Sequence, residues 1–263
     1  MSSKPHLLID GDLIVYRFSA AQAKEIQWAD GLVTVHADTA LARSDIQSEV
    51  CRLLKKFRTD RFTFCLSDAV NFRKGLHPSY KSARGAKPVG FKPIKEWAHE
   101  HFNAVVYLGL EADDTLGLLS ADMDNAIIVS WDKDMCQIPG RHYDPRQNKT
   151  FSVTPEQGWE WFLTQVLTGD RVDGYTGLPG CGPKTAEKIL DGNCTWAAVV
   201  EAYEQEGLTE KDALVQARLA YILKNPSDYS IETGRITLWT PPKSASTSTP
   251  STSTPTSPKR RKT

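Results

Sequence analysis

Nine carboxylates stand where chemistry could gather them. Asp10 follows the apolar run Leu7-Leu8-Ile9, and Asp68 follows residues 62–66. Glu111 follows residues 104–108, and Asp132 and Asp134 follow residues 126–129. Each run reads as a buried strand, so each acid sits just past a strand end. Asp113 and Asp114 come directly after Glu111. Asp170 and Asp173 are three apart and share a face on a helical turn. Any one of these acids alone reads as a cap or turn residue. As a set they imply more, because two carboxylates about 4 Å apart repel by roughly 4 kcal/mol at an effective dielectric near 20. Protons, basic partners or metal must offset that cost. Oxygen donors without His or Cys suit hard cations, Mg²⁺ or Mn²⁺. Two such ions can bind a scissile phosphate, activate water and stabilise the leaving oxygen.

Two further stretches carry chemistry. Residues 70–95 hold seven Lys or Arg and no acid, among them Arg73, Lys74, Lys81 and Arg84. Tyr80 lies within this strip. The second stretch runs Gly177, Gly180, Gly182, Pro183, Lys184, Thr185, with Lys188 one turn on. It falls short of a phosphate-binding P-loop because Pro183 separates Gly182 from Lys184 and no strand precedes it. Glycines let a backbone approach a phosphate closely, and the N–H groups at the following helix start point towards it.

The elements that would position these groups alternate. Helical spacing is read over residues 40–57, 93–102 and 113–123 between the strand candidates, which predicts an α/β fold with a mostly parallel sheet flanked by helices. Asp10-Gly11-Asp12 reads as a loop, and residues 32–35 as a short strand. After residue 154 the texture becomes helical, over 155–167, 185–190, 196–206 and 210–224. In open α/β sheets ligands bind outside the carboxyl ends of the strands.

In this order, Ile9-Asp10-Gly11, Asp68, Glu111 with Asp113 and Asp114, Asp132 with Asp134, and Asp170 with Asp173 resemble the acidic motifs of the 5′ nuclease (flap endonuclease) superfamily. The likeness covers roughly residues 7–223 and is close to stand-alone phage or bacterial 5′–3′ exonucleases and to the nuclease domain of bacterial DNA polymerase I. It implies a PIN-like core followed by a helix–three-turn–helix. It implies that Asp10, Asp68, Glu111, Asp113, Asp132 and Asp134 serve one Mg²⁺ site, with Asp114 close by, and that Asp170 and Asp173 hold a second ion, with Mn²⁺ as a substitute. It implies that Tyr80 stacks on a base, that Lys81 and Arg84 contact the scissile or adjacent phosphate, and that Arg73 and Lys74 guide the substrate. Gly177, Gly180, Gly182, Lys184, Thr185 and Lys188 would track a duplex backbone, with K⁺ at the loop carbonyls. The implied reaction is hydrolysis near a 5′ end in duplex or branched DNA, with an RNA–DNA hybrid compatible, in replication or repair. The short interval between Arg84 and Glu111 predicts a partial clamp in place of a complete arch. Asp12 stands where relatives carry a small polar residue, and its role stays open. Two alternatives remain, a PIN-like ribonuclease and a catalytically inert branched-DNA binding protein.

Composition bounds these readings. The 263 residues carry 32 Lys+Arg and 32 Asp+Glu, a formal charge of zero. That excludes a protein held to nucleic acid by bulk positive charge alone. The balance is uneven, because residues 241–263 hold five basic residues and no acid. This Ser/Thr/Pro-rich tail is expected to be disordered. The expected domains are a nuclease core over 1–165, a DNA-binding helical region over 166–240 and the tail over 241–263. The five cysteines lack paired metal spacing and read as incidental thiols. No apolar run is long enough to span a bilayer, and no apolar leader opens the sequence, so a cytoplasmic location is expected.

Overall fold

The computed structural model describes residues 4–242, and the expected basic tail lies, from residue 243 onward, outside the described residues. The chain runs β1 (His6–Asp10), α1 (Gly11–Ala21), β2 (Ala23–Gln27), β3 (Val33–Ala37), α2 (Thr39–Phe57), β4 (Phe62–Cys65), α3 (Arg73–Leu76), α4 (Phe91–Phe102) and α5 (Ala112–Ala121). It continues with β5 (Ala126–Val129), β6 (Gly140–Asp144), β7 (Lys149–Val153), α6 (Pro155–Thr168), α7 (Pro183–Leu190), α8 (Trp196–Gln205), α9 (Glu210–Ala220), β8 (Tyr229–Ser230) and β9 (Arg235–Ile236). Single 3₁₀ turns occupy Lys133–Gln137 and Pro226–Asp228.

The central sheet has the order β4-β1-β5-β6-β7. β1 lies parallel to β4 and β5, and β5 parallel to β6, while β7 returns antiparallel. Leu7, Leu8 and Ile9 are fully buried. Such a continuous apolar strand needs cover on both faces. Alternation supplies it: Leu7 and Ile9 pack with Ile14, Ile46, Leu53 and Ile94 from α1, α2 and α4. Leu8 packs with Ala112 and Leu116 of α5 and with Ile222. α2 buries Ala42, Ile46, Val50 and Leu53, one helical stripe. It opens where Asp38 accepts from the Leu41 N–H (2.9 Å) and ends at Arg58 in the left-handed region.

Several sequence expectations are corrected. Residues 10–12 are no loop, because α1 begins at Gly11, with Asp10 as its N-cap accepting from the Leu13 N–H. A β-carbon at Gly11 would lie 2.3 Å from the Phe64 ring and 2.6 Å from the Cys65 carbonyl oxygen, so only glycine lets α1 start this close to β4. Residues 104–108 are not a strand beyond a single bridge from Val105 to Cys65. β2 and the β6–β7 hairpin were not anticipated. The boundary expected after residue 165 falls inside α6. One apolar cluster joins Tyr80, Leu110, Leu118 and Phe162 to Val199, Ala217 and Leu223 from the two sides of that boundary. Among the described residues no helix is long and apolar enough to cross a membrane.

The helix expected over 210–224 stops at Ala220 because the next residues serve a buried ion pair. Arg73 of α3 is 2% exposed. Its guanidinium grips Asp114 of α5 through two bonds of 2.7 Å and donates to the carbonyls of Leu219 (3.1 Å) and Tyr221 (2.6 Å). The Leu223 N–H donates to Asp114 as well (3.1 Å). Residues 219–223 are thereby pinned across the sheet end. Removing one partner of such a pair leaves an uncompensated buried charge, so Asp114→Ala is expected to lower unfolding free energy by about 3–5 kcal/mol in urea titration. Arg73→Met combined with Asp114→Leu should cost less than that single change.

Candidate active site

The carboxyl ends of β1 and β5 deliver acids to one cleft of about 550 Å³, lined among others by Asp10, Asp12, Lys81, Arg84, Glu111, Asp113 and Asp132. Asp10 is 2% exposed and accepts from the Ser130 hydroxyl at 2.9 Å. Burial, then the neighbouring Asp12 charge, pushes its pKa up to about 7. Asp113 in the first turn of α5 is raised well above the ordinary carboxylate range by burial and by Asp10 and Asp132. Asp132 caps the 3₁₀ turn by accepting from the Asp134 N–H at 2.9 Å. Asp134 opens to a small adjoining cavity with Glu111, Asp113 and Asp173. Burial and Asp132 raise its pKa to about 7, and Gln165 donates to it at 2.8 Å.

Basic side chains balance the rest. Lys81 pairs with Glu111 and stands 3.5 Å from Asp173, and Arg84 pairs with the other oxygen of Asp173. Burial alone would raise the Glu111 pKa, but the charges of Lys81 and Arg73 outweigh it and hold the group at about 2. Lys133 pairs with Asp170 at 3.1 Å. Asp170 also accepts from the N–H groups of Val172 (2.8 Å) and Asp173 (3.2 Å), which folds the 170–173 turn towards the cleft. Lys81 itself sits at φ 54° with its N–H on the Asp173 carbonyl at 2.7 Å. The strip after the second acid is thus bonded directly to the last acidic motif.

Four residues with expected roles are engaged otherwise in this geometry. Arg73 is buried in its pair with Asp114 and cannot guide substrate from the surface. Asp114 is fully buried and committed to Arg73, the Glu111 N–H and the Leu223 N–H, so it is not free to ligate. Tyr80 is 3% exposed, with its hydroxyl donating to Glu111 at 2.7 Å, and has no face open to a base. The Asp68 carboxylate accepts from the backbone N–H groups of Ala69 and Gly109, both at 2.7 Å, and lies outside the cleft lining.

Other groups take part whose roles were left open or were not expected. Asp12 lines the cleft, accepts from the Ser67 N–H and pairs with Lys95 of α4 at 2.9 Å. Lys133 could have been suspected from its place between two acids. Lys95 was one of the seven basic residues of the 70–95 strip, and nothing local marks Ser130 or Gln165.

Lys74 is exposed. Residues 77–90, between α3 and α4, contain turns and no helix or strand. The glycine stretch links α6 to α7. Gly177 lies at φ 64°, where a β-carbon would meet the Gly169 nitrogen at 2.3 Å, so two backbone segments touch here. Gly182 is the N-cap of α7, and Lys184, Thr185 and Lys188 are exposed on that helix.

The donors facing the cleft are oxygens. Asp10, Asp113 and Asp134 hold on to protons because burial and their neighbours disfavour the charged forms. A hard divalent cation answers both conditions, so the residues fit one. Among the described residues no three acidic, His or Cys side chains are drawn together tightly enough to grip an ion in this arrangement. Lys81, Arg84 and Lys133 carry the balancing charge instead.

Residues 5–160 match the family model of the 5′–3′ exonuclease N-terminal resolvase-like domain. An exodeoxyribonuclease of Enterobacteria phage T3 is 27% identical, the match covering 89% of this chain and 92% of the relative. A flap endonuclease Xni of Shewanella piezotolerans is 30% identical over 82% of this chain and 89% of its own. The bacteriophage T5 D15 flap endonuclease, solved as a pseudo-enzyme-product complex with DNA and metal ions, superposes with a TM-score of 0.60 at 16% identity, covering 84% of this chain and 89% of that one. The parallel sheet, the acids at its strand ends and the matched segment agree, and the chain belongs to the 5′–3′ exonuclease family.

Proposed function

We propose that the chain hydrolyses phosphodiesters near the 5′ end of duplex or branched DNA, as a Mg²⁺-dependent 5′–3′ exonuclease or flap endonuclease. The observation that carries this reading is the single cleft in which Asp10, Glu111, Asp113 and Asp132 face Lys81 and Arg84. A pure binding protein gains nothing from such repulsion. The similarity to an exodeoxyribonuclease and a flap endonuclease supports DNA as substrate.

Asp10, Glu111, Asp113 and Asp132 would hold one cation, and Asp134, Asp170 and Asp173 a second. When bound, divalent cations supply charge neutralisation, an acidified water and polarisation of the phosphate. The protein does the rest. Asp10 is buried and Asp113 half-buried, so their carboxylates bind a cation strongly once protons leave. Lys81 and Arg84 sit on Glu111 and Asp173, where they can transfer their donors to a phosphate and meet charge developing on the leaving oxygen. The N-terminus of α7, with exposed Lys184, Thr185 and Lys188, supports a backbone-tracking contact with duplex DNA in the manner of a helix–hairpin–helix. K⁺ at the carbonyls of the 177–182 loop belongs to the same contact. Lys74 adds charge at the rim.

Labelled 5′-flap, duplex-end and RNA–DNA hybrid substrates should be cleaved with Mg²⁺ and left intact with EDTA. Cleavage of RNA alone, or no cleavage of any, would overturn the reading. Asp113→Asn should abolish hydrolysis while DNA affinity persists in a filter-binding assay. Lys184→Ala should lower duplex affinity and reduce the slope of log K against log salt by about 0.9, the value for one lost phosphate contact.

The raised acids give a pH test. Asp10 and Asp134 bind protons more tightly when folded, so the stability they contribute is present at low pH and lost as pH rises through about 7. Mg²⁺ replaces those protons. The melting temperature gain from Mg²⁺ over EDTA should therefore be larger at pH 8 than at pH 5. An equal gain at both would separate the cation from these carboxylates.

A further inference from the structure

Asp132 borders a second cleft, of about 410 Å³. Its walls are Trp131, Lys133, Arg146, Gln147, Lys149 and Phe151, from the segment after β5 and from the β6–β7 hairpin. Two guanidiniums lie against the Trp131 ring, Arg146 at 5.3 Å and Arg17 of α1 at 5.9 Å from its centre. Arg146 also donates to the Trp131 carbonyl at 3.0 Å. Arg17, Arg146 and Lys149 are exposed, and none has an acidic partner among the described residues. The acids nearby are occupied. Asp144 accepts from the N–H groups of Arg146 and Gln147, which shapes the turn.

These cations are held in place without being neutralised. An arginine laid on an indole keeps its charge and most of its donors while giving up little further freedom on binding an anion. Arg146 and Lys149 line a cleft that shares Asp132 with the carboxylate cleft, and Arg17 reaches Trp131 from α1, so the three offer a run of phosphate sites. The lining has aromatic surface but no charge-free pocket, which favours a phosphodiester chain over an apolar ligand.

We propose that this cleft carries the sugar–phosphate backbone of an unpaired DNA strand where it passes Asp132 to or from the site of hydrolysis. The proposal rests on the nuclease reading given above. It assigns Arg146, Lys149 and Arg17 as phosphate contacts and Trp131 as the residue that positions the two arginines.

The test uses the whole chain with Ca²⁺ in place of Mg²⁺, so that binding is read without turnover. Fluorescein-labelled blunt duplex and the same duplex with a single-stranded extension are titrated against wild type, the double variant Arg146→Ala/Lys149→Ala, and Trp131→Phe. The double variant changes exposed residues only, while Trp131 packs partly against the core and Trp131→Phe keeps an aromatic ring there. The double variant should bind the extended DNA about tenfold more weakly, with a salt slope lower by about 1.4, two single-strand phosphate contacts. Blunt-duplex affinity should stay within twofold, and Trp131→Phe should keep most of the binding because a ring remains under the arginines. Equal loss on both DNAs, or no loss on the extended one, overturns the proposal while leaving the nuclease reading intact. Failure of the wild type to bind either DNA overturns both.

Discussion

Carboxylates taken out of water beside one another are costly, and the rest of this structure is arranged around that cost. Asp10 and Asp113 face Asp132 across one cleft, and Asp134 lies next to it. The fold answers in two ways. Glu111 and Asp173 are met by Lys81 and Arg84, and Asp170 by Lys133. Among the described residues Asp10, Asp113 and Asp134 form no ion pair, and they are left with a raised affinity for protons. The unmatched acids are the ones that a divalent ion has most to gain by meeting.

The basic strip then has two layers. Arg73 points inward and is consumed by structure, while Lys81 and Arg84, on the same segment, point at acids that a substrate complex would share. Arg73 holds α5 from beneath by Asp114, and the same α5 presents Glu111 and Asp113 above. A single arginine thus fixes the pitch of the helix that supplies two of the cleft acids. Tyr80 completes this support with its hydroxyl on Glu111.

Much of this was legible in the residues. Apolar runs closed by acids marked β1, β4 and β5 and placed Asp10 and Asp132 correctly at their ends. The stripe Ile46, Val50 and Leu53 marked α2 for the same reason, one buried face, although Leu41, read on that face, is exposed and Ala42 is buried in its stead. What stayed hidden depended on partners far away in the chain. Arg73 reads as a solvated charge until Leu219, 146 residues on, is seen to accept from it. Asp68 reads as a ligand until the Gly109 N–H closes on it. Asp10-Gly11-Asp12 reads as a turn because glycine and aspartate favour turns, whereas the lack of space beside Phe64 is what selects the glycine. The Tyr80 ring looked available to a base because nothing in its neighbours reports burial.

The clasp between Arg73, Asp114 and residues 219–223 also orders events during synthesis. The acids arise early in the chain, yet the helix presenting Glu111 and Asp113 is locked only when the carbonyls of Leu219 and Tyr221 reach the guanidinium. A chain emerging from the ribosome would carry every acid of the cleft long before it could hold them in register. The register of the cleft acids therefore depends on a contact made by residues far downstream of them.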